Sequence, residues 1–357
     1  MSELVRAALA AVVEGRRLSM EEAHGAMGAV MDGEATASQL AALLVALRMR
    51  GETVGELAGF AAAMRERVVR VDAPDGIIDT CGTGGDHSGT FNISTAAAIL
   101  VAAASVPVAK HGNRAVTSAC GSADVLEALG VSTDLGPEEA AAALRRDGFA
   151  FLFAPAYHPA MRNAGPTRRE IGVRTAFNLL GPLTNPAGAL RQVVGVGDPS
   201  AAPRIAAVLQ MLGAERALVV HGTGIDELPL DGTGVLYDVT PAKVTRHDVV
   251  ASALGLGAAP LAALAGGTPA ENARLVEAVF AGEAGPRRDV VLLNAAAGFL
   301  AADRVSELRE GVALAAATID SGGAAKLLAR LRAAKVARDA ASAAGTAGPK
   351  PMQAARA

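Results

Sequence analysis

The chain of 357 residues has no tryptophan and only two cysteines, Cys81 and Cys120. Without a Cys-x-x-Cys pair, neither a disulfide framework nor a cysteine zinc site is expected. Positive charge is not in excess either: 33 Lys and Arg stand against 36 Asp and Glu, a formal net charge of -3. With no basic run and no basic amphipathic stretch, the sequence offers no surface for nucleic acid or an anionic membrane. Long hydrophobic runs are missing too. "AAAILVAAASVPVA" is apolar but short and reads as a buried helix and strand, and no later segment is an uninterrupted apolar 18-mer free of charge and glycine. The start, "MSELVRAALAAVVEGRRLSM", is broken by Glu3, Arg6, Glu14, Arg16 and Arg17 and lacks a secretory apolar region. The expectation is a soluble, cytoplasmic protein.

What is present is 51% hydrophobic residues, enough for one large domain or two unequal ones. Residues 1–72 read as a small all-helical domain. Ser19, Thr36 and Thr53 are placed to cap successive helices, with Glu21 and Glu22 in a first turn and Gly33 as a stop. The several apolar faces suit either a second copy of the chain or packing on the chain itself. After Pro74, short apolar runs alternate with helical stretches: "GIIDT", "VPVAKHG", "VSTDLG", "FAFLFAP", "LRQVVGVGD" and "RALVVHG" are spaced by helix-like segments. That rhythm predicts an α/β fold with a mainly parallel sheet, covering 73–165 and 189–340. The basic, proline-punctuated stretch at about 166–188 is expected to return to the helical domain. "DVVLLNAAAGFLAA" reads as a buried helix, and 341–357 as a disordered tail.

Three polar stretches follow apparent strands, so the fold class predicts that they converge at one sheet edge. The first, "DTCGTGGDHSGTFNIST" (79–95), has Gly82, Gly84, Gly85 and Gly89 to bring backbone N–H groups close to an anion. It adds the hydroxyls of Thr83, Ser88 and Thr90, and a helix start at Asn92, Ser94 or Thr95. It matches neither a Walker A loop nor a dinucleotide fingerprint. Asp86 within it accepts ribose hydroxyls or orders the loop as an Asx-turn. The second, "KHGNRAVTSACGS", supplies Lys110, His111 and Arg114 with the neutral donors Asn113, Thr117, Ser118 and Ser122; Ser122 also suits an N-cap. The third, "HGTGIDELPLDG", places Asp226 beside Glu227, which suits Mg2+ shared with a phosphate, or a solvated acidic loop. "PTRREIGVRT" adds Arg168, Arg169 and Arg174; arginine suits a carboxylate.

The ordered set "GTGGD", "TFNIST", "KHGNRAV", "GSADVLEALG", "HPAMRNAGPTRREIGVRTAFNLLGPLTNP" and "DELPLDG" closely resembles the anthranilate phosphoribosyltransferases, from the helical part to about residue 340. The resemblance implies a homodimer joined through the helical domain. It also implies transfer of a 5-phosphoribosyl group from 5-phosphoribosyl 1-diphosphate to anthranilate with Mg2+, two ions per site. By resemblance, Gly82, Gly85, Asp86, Thr90, Asn92, Ile93, Ser94 and Thr95 contact the sugar diphosphate. Lys110, His111, Gly112, Asn113, Arg114, Ala115, Val116, Thr117, Ser118 and Ser122 complete its phosphate site. Ser94, Asp226 and Glu227 resemble the metal ligands, and Gly82, Asn113 and Arg168 the anthranilate contacts, with Arg168 on the carboxylate and His111 and Pro182 lining the pocket. The sequence departs from a common family form at Ala119 and Cys120, where a charge and a hydroxyl are absent, so no strong role is expected there. No covalent intermediate or general base is expected. The alternatives are a pyrimidine nucleoside phosphorylase-like enzyme and a non-catalytic nucleic-acid-binding relative.

Overall fold

The computed structural model describes residues 1–86, 88–115 and 119–346. Four helices open the chain: α1 (Glu3–Val13), α2 (Met20–Met31), α3 (Ala37–Arg50) and α4 (Val54–Glu66). Ser19, Thr36 and Thr53 each close a reciprocal capping box, with Glu22, Gln39 and Glu56 respectively, as the sequence reading expected of the three caps.

The alternating region then gives β1 (Ile78–Gly82), α5 (Ile93–Ala103), β2 (Val108–Gly112), α6 (Ser122–Ala128), α7 (Pro137–Asp147) and β3 (Phe149–Phe153). Short helices α8 (Ala154–Tyr157), α9 (Gly165–Ile171) and α10 (Phe177–Leu180) fill the proline-rich stretch. The chain re-enters the sheet with β4 (Arg191–Gly195), α11 (Ala202–Met211) and β5 (Arg216–His221), followed by β6 (Gly234–Val239) and β7 (Val244–Val249). Four helices finish it: α12 (Pro269–Phe280), α13 (Pro286–Ala301), α14 (Leu308–Asp320) and α15 (Gly323–Thr346).

The seven strands lie in the order β3-β2-β1-β4-β5-β6-β7. The first five are parallel and the last two antiparallel. The chain moves outward from β1 through β2 to β3 and then returns to the other flank of β1, so the crevice opens where β1 meets β4. One sheet face is covered by α5 and the fully buried stretch of α13. On the other face, Val194 and Val219 join a core continuous with Leu44, Leu57 and Phe60 of the bundle. The 166–188 stretch touches the bundle where Arg65 Nε donates to Leu183 O at 2.6 Å, and just before it Asn163 Nδ2 donates to Met31 O at 2.7 Å.

Three details differ from the sequence reading. Residues 131–136 form no strand: Thr133 Oγ1 binds the Glu127 side chain of α6 and Gly136 N–H binds Glu139 as the N-cap of α7, so the segment is tied to the flanking helices instead of entering a ladder. The antiparallel pair β6–β7 was not anticipated; its outer strand has too few apolar residues to announce itself. Helix α15 continues through residues 341–346, where a tail was expected, and the rest of that tail lies outside the described residues. No single helix among the described residues is long and apolar enough to cross a membrane.

Candidate active site

The loops after β1, β2 and β5 meet at the carboxyl end of the sheet. Thr83 N–H donates to Gly195 O at 2.8 Å, which ties the glycine loop to the end of β4. Gly84 N–H donates to Asp226 Oδ2 at 3.3 Å, and Asp226 N–H to Asp86 Oδ2 at 3.4 Å. Asp86 Oδ1 also accepts from Ser88 N–H at 3.3 Å, so the loop-ordering turn exists. Carboxylate oxygens of Asp86, Asp226 and Glu227 lie within 4.8 Å of one another. Glu227 Oε2 is buried without a hydrogen-bond partner. Burial, then the Asp226 charge, pushes the Glu227 carboxyl well above the usual range; burial, then Asp86, raises Asp226. Three clustered acids with one orphaned oxygen fit a hard divalent cation, which would relieve both the repulsion and the missing bond.

Opposite the acids stands Lys110, fully buried in the middle of β2, its Nζ donating to Thr80 O. Burial lowers its pKa, opposed by the charge of Asp79. A polar cavity of about 200 Å³ lies between, lined by Gly82, Gly84, Asn92, Ser94, Thr95, Lys110, Asn113, Ser122, Asp226 and Glu227. The start of α5 contributes the helix N-terminus that attracts phosphate. Asn92 is its N-cap residue; its side chain donates to Cys120 O at 3.2 Å and accepts from Asn272 Nδ2 at 2.9 Å. Thr95 Oγ1 is buried and unpartnered.

A second cavity, about 720 Å³, adjoins the first. Its walls come from the ends of β1 and β2 and from the stretch 154–184. Arg168 lies over the Phe177 ring at 4.7 Å; burial lowers its pKa, and no acid pairs with it among the described residues. His111 Nδ1 faces Gly181 O at 3.2 Å, and its Nε2 faces His158 Nε2 at the same distance. Burial, then His158, pushes His111 down to about 3, and burial takes His158 down to about 4, so this wall is uncharged at neutral pH. Pro182 lines the same cavity.

The remaining candidates are spread more widely. Gly85, at φ 71°, lies against Arg174, and Thr90 Oγ1 bonds Ser88 Oγ at 3.1 Å. The Ile93 side chain is in the core, while Gly112 packs against Ser122 and Phe151. Ala115 N–H donates to Asp124 at 2.9 Å. Arg114 pairs with Asp124 and Glu127 of α6, so its charge is not free toward the cavity. Val116, Thr117 and Ser118 lie outside the described residues. Ser122 is not the N-cap of α6; Gly121 is, and Ser122 Oγ instead donates to Asn113 O at 3.1 Å. Three neighbours escaped notice: His158, Asn272 and the contact of Arg174 with the glycine loop. His158 opens a quoted motif, but nothing local distinguishes it from a structural histidine, and Asn272 sits in an unremarked helix.

Residues 74–325 match the glycosyl transferase family a/b domain, and residues 6–68 its helical bundle domain. An anthranilate phosphoribosyltransferase of Symbiobacterium thermophilum is 54% identical over 330 residues, 92% of this chain and 97% of that protein. The crystal structure of the Thermus thermophilus anthranilate phosphoribosyltransferase superposes with a TM-score of 0.87 at 48% identity, covering 91% of this chain and 98% of that one. The enzyme of Saccharomyces cerevisiae, in complex with PRPP and Mg, does so at 0.86 and 26% identity, over 94% and 99%.

Proposed function

This chain belongs to the anthranilate phosphoribosyltransferases, and from that membership we propose how its site performs the reaction. The enzyme transfers the 5-phosphoribosyl group from 5-phosphoribosyl 1-diphosphate to the amine of anthranilate, in tryptophan biosynthesis; N-(5-phosphoribosyl)anthranilate and diphosphate are the products. The observation that carries the assignment of roles is the pair of unlike cavities that share Cys81, Gly82, His111, Gly112 and Asn113 as a common wall. One is small and polar, with acids facing a lysine. The other is larger, walled partly by proline and phenylalanine, and holds Arg168.

In this reading the polar cavity takes the sugar diphosphate. Lys110, the α5 N-terminus with Asn92, Ser94 and Thr95, and the loop residues Gly82, Gly85, Asp86 and Thr90 bind it. Asn113, Ser122 and the neighbouring residues of 110–115 complete the contacts. Asp226, Glu227 and Ser94 would hold Mg2+, with Asp86 as a third carboxylate; two ions is the number we propose. Bound Mg2+ supplies neutralising charge to the departing diphosphate. Arg168 fixes the anthranilate carboxylate through paired N–H groups, and Gly82, His111, Asn113 and Pro182 shape the space for the ring. Bringing the aryl amine to C1 of the ribose is then mainly positioning and charge stabilisation. The neutral His111–His158 wall supplies no charge of its own, which leaves the acceptor's carboxylate to Arg168. A nucleoside phosphorylase or nucleic-acid-binding role is not favoured, given the named relatives at about half identity.

We extend the proposal to a cytoplasmic homodimer joined through the bundle. Leu4, Val13, Val45 and Met49 on the mutually packed α1 and α3 are exposed, which supports it. The test of the reaction is loss of anthranilate fluorescence on adding 5-phosphoribosyl 1-diphosphate, with Mg2+ and then with EDTA. The chain's own emission is small because it has no tryptophan. Mg2+-dependent loss matched by diphosphate release is expected. Binding of the sugar diphosphate without that loss would mean a different acceptor.

A further inference from the structure

One cation beside the glycine loop has no part in the roles above. Arg174 follows α9, two residues after Gly172, whose φ of 67° ends that helix. Its Nη1 donates to Gly84 O at 3.1 Å and Gly85 O at 3.4 Å. It lies so close to Gly85 that a Cβ there would overlap Nη1. No carboxylate pairs with Arg174 among the described residues. The loop is held from its other side by Asp226, which accepts from Gly84 N–H. The backbone at Gly84 and Gly85 is thus gripped by a carboxylate taking one N–H and a guanidinium taking two carbonyls.

This grip has a directional consequence. In a trans peptide the C=O and the following N–H point opposite ways. Turning the carbonyls of Gly84 and Gly85 toward Arg174 turns the N–H groups of Gly85 and Asp86 away from it. Those N–H groups are the donors an anion would use. Both glycines have positive φ, 61° and 71°, and glycine alone would not hold that shape, because it has the most conformational freedom to lose.

We propose that Arg174 is a positioning residue: it presets the glycine loop for the sugar diphosphate from the segment that also carries Arg168. The proposal rests on the reading that this loop binds the sugar diphosphate. The experiment compares wild type with Arg174→Ala and Arg174→Lys by steady-state kinetics, and by calorimetric titration with Mg2+ and 5-phosphoribosyl 1-diphosphate. Loss of two charge-assisted hydrogen bonds should raise the KM and Kd for the sugar diphosphate about tenfold in Arg174→Ala. The kcat and the anthranilate KM at saturating sugar diphosphate should stay within about twofold to threefold, against that tenfold change. Lysine should fall between, and millimolar guanidinium should restore part of the KM in Arg174→Ala alone, a response that a folding defect would not give. An unchanged Kd for the sugar diphosphate would overturn the proposal, as would an anthranilate KM that rises equally. The titration reads the loop whichever acceptor the enzyme uses, so a wild type silent with anthranilate would count against the acceptor assignment and not against Arg174.

Discussion

Asp226 stands so near Gly82 that a Cβ on the glycine would lie 2.5 Å from Asp226 Oδ2. The two residues, one ending β1 and the other in the loop after β5, are 144 positions apart, and the site closes only because position 82 has no side chain. Gly82→Ala is therefore expected to push the Asp226 carboxylate off Gly84 N–H without disturbing the core. Overpacking of this kind costs roughly 1–3 kcal/mol, here concentrated on the acid cluster. Turnover at limiting Mg2+ should drop by at least about tenfold, while the circular dichroism spectrum stays as in wild type. A variant with full turnover at every Mg2+ concentration would remove Gly82 from this role.

Glu227 has a buried, unpartnered oxygen beside two other acids. Glu227→Gln keeps the shape and removes the carboxyl that would ionise on a bound cation. In EDTA, Tm should rise by roughly 2–6 °C, because the folded state no longer has to hold a buried carboxyl protonated at a pH where the unfolded chain ionises it. In wild type, Mg2+ should raise Tm by binding the folded state, and that response should shrink or vanish in the variant. A thermal scan of both proteins with and without Mg2+ checks the pair of effects. A Tm that falls in EDTA would mean that the Glu227 carboxyl already has a stabilising partner.

The fold was legible where local chemistry and period agreed. Ser19, Thr36 and Thr53 could be placed as caps because the capping residue and its Glu or Gln partner lie three apart in sequence. The convergence of the three polar loops followed from strand–helix rhythm alone. Much less was legible where a relationship is long-range and chemically ordinary. Nothing near Asp86 says that it joins Asp226 and Glu227, since that depends on the β1–β4–β5 order. Asn272 is one amide in a helix until the fold sets it against Asn92. Arg114 reads as a phosphate ligand from its motif, yet Asp124 and Glu127 one helix later take its charge. Strand β7 was missed because an edge strand exposed on most of its length needs little apolar alternation.

The His111–His158 pair makes stability fall in mild acid. Both are held neutral by burial, at about 3 and about 4, far below an unfolded histidine near 6.5. As pH drops below 6.5 the unfolded chain takes up protons that the folded chain refuses, so unfolding becomes easier. Between pH 6.5 and pH 5 the loss is roughly 2 kcal/mol per histidine. The raised carboxyls of Asp79, Asp226 and Glu227 work in the opposite direction, so the pair is isolated by comparison with His158→Gln, whose stability should decline less steeply. Urea unfolding at pH 7.5, 6 and 5 measures the difference. Parallel declines in both proteins would show that the pair does not control it.

Arg168 is half-buried, lies over Phe177 and has no acid paired to it among the described residues. A cation in that state is incomplete, and a carboxylate entering the cavity completes it through a planar, two-point contact. Arg168→Ala should therefore raise the anthranilate KM by about thirtyfold to a hundredfold, the range expected for a charge-assisted pair of about 2–3 kcal/mol. The KM for 5-phosphoribosyl 1-diphosphate should move much less. Arg168→Lys should recover only part of the loss, because an ammonium keeps the charge but not the fork. Aniline, which has the amine without the carboxylate, separates charge recognition from ring packing: its poor turnover by wild type should be nearly the same in Arg168→Ala. If the two KM values rise together in Arg168→Ala, Arg168 shapes the whole crevice and does not read the acceptor.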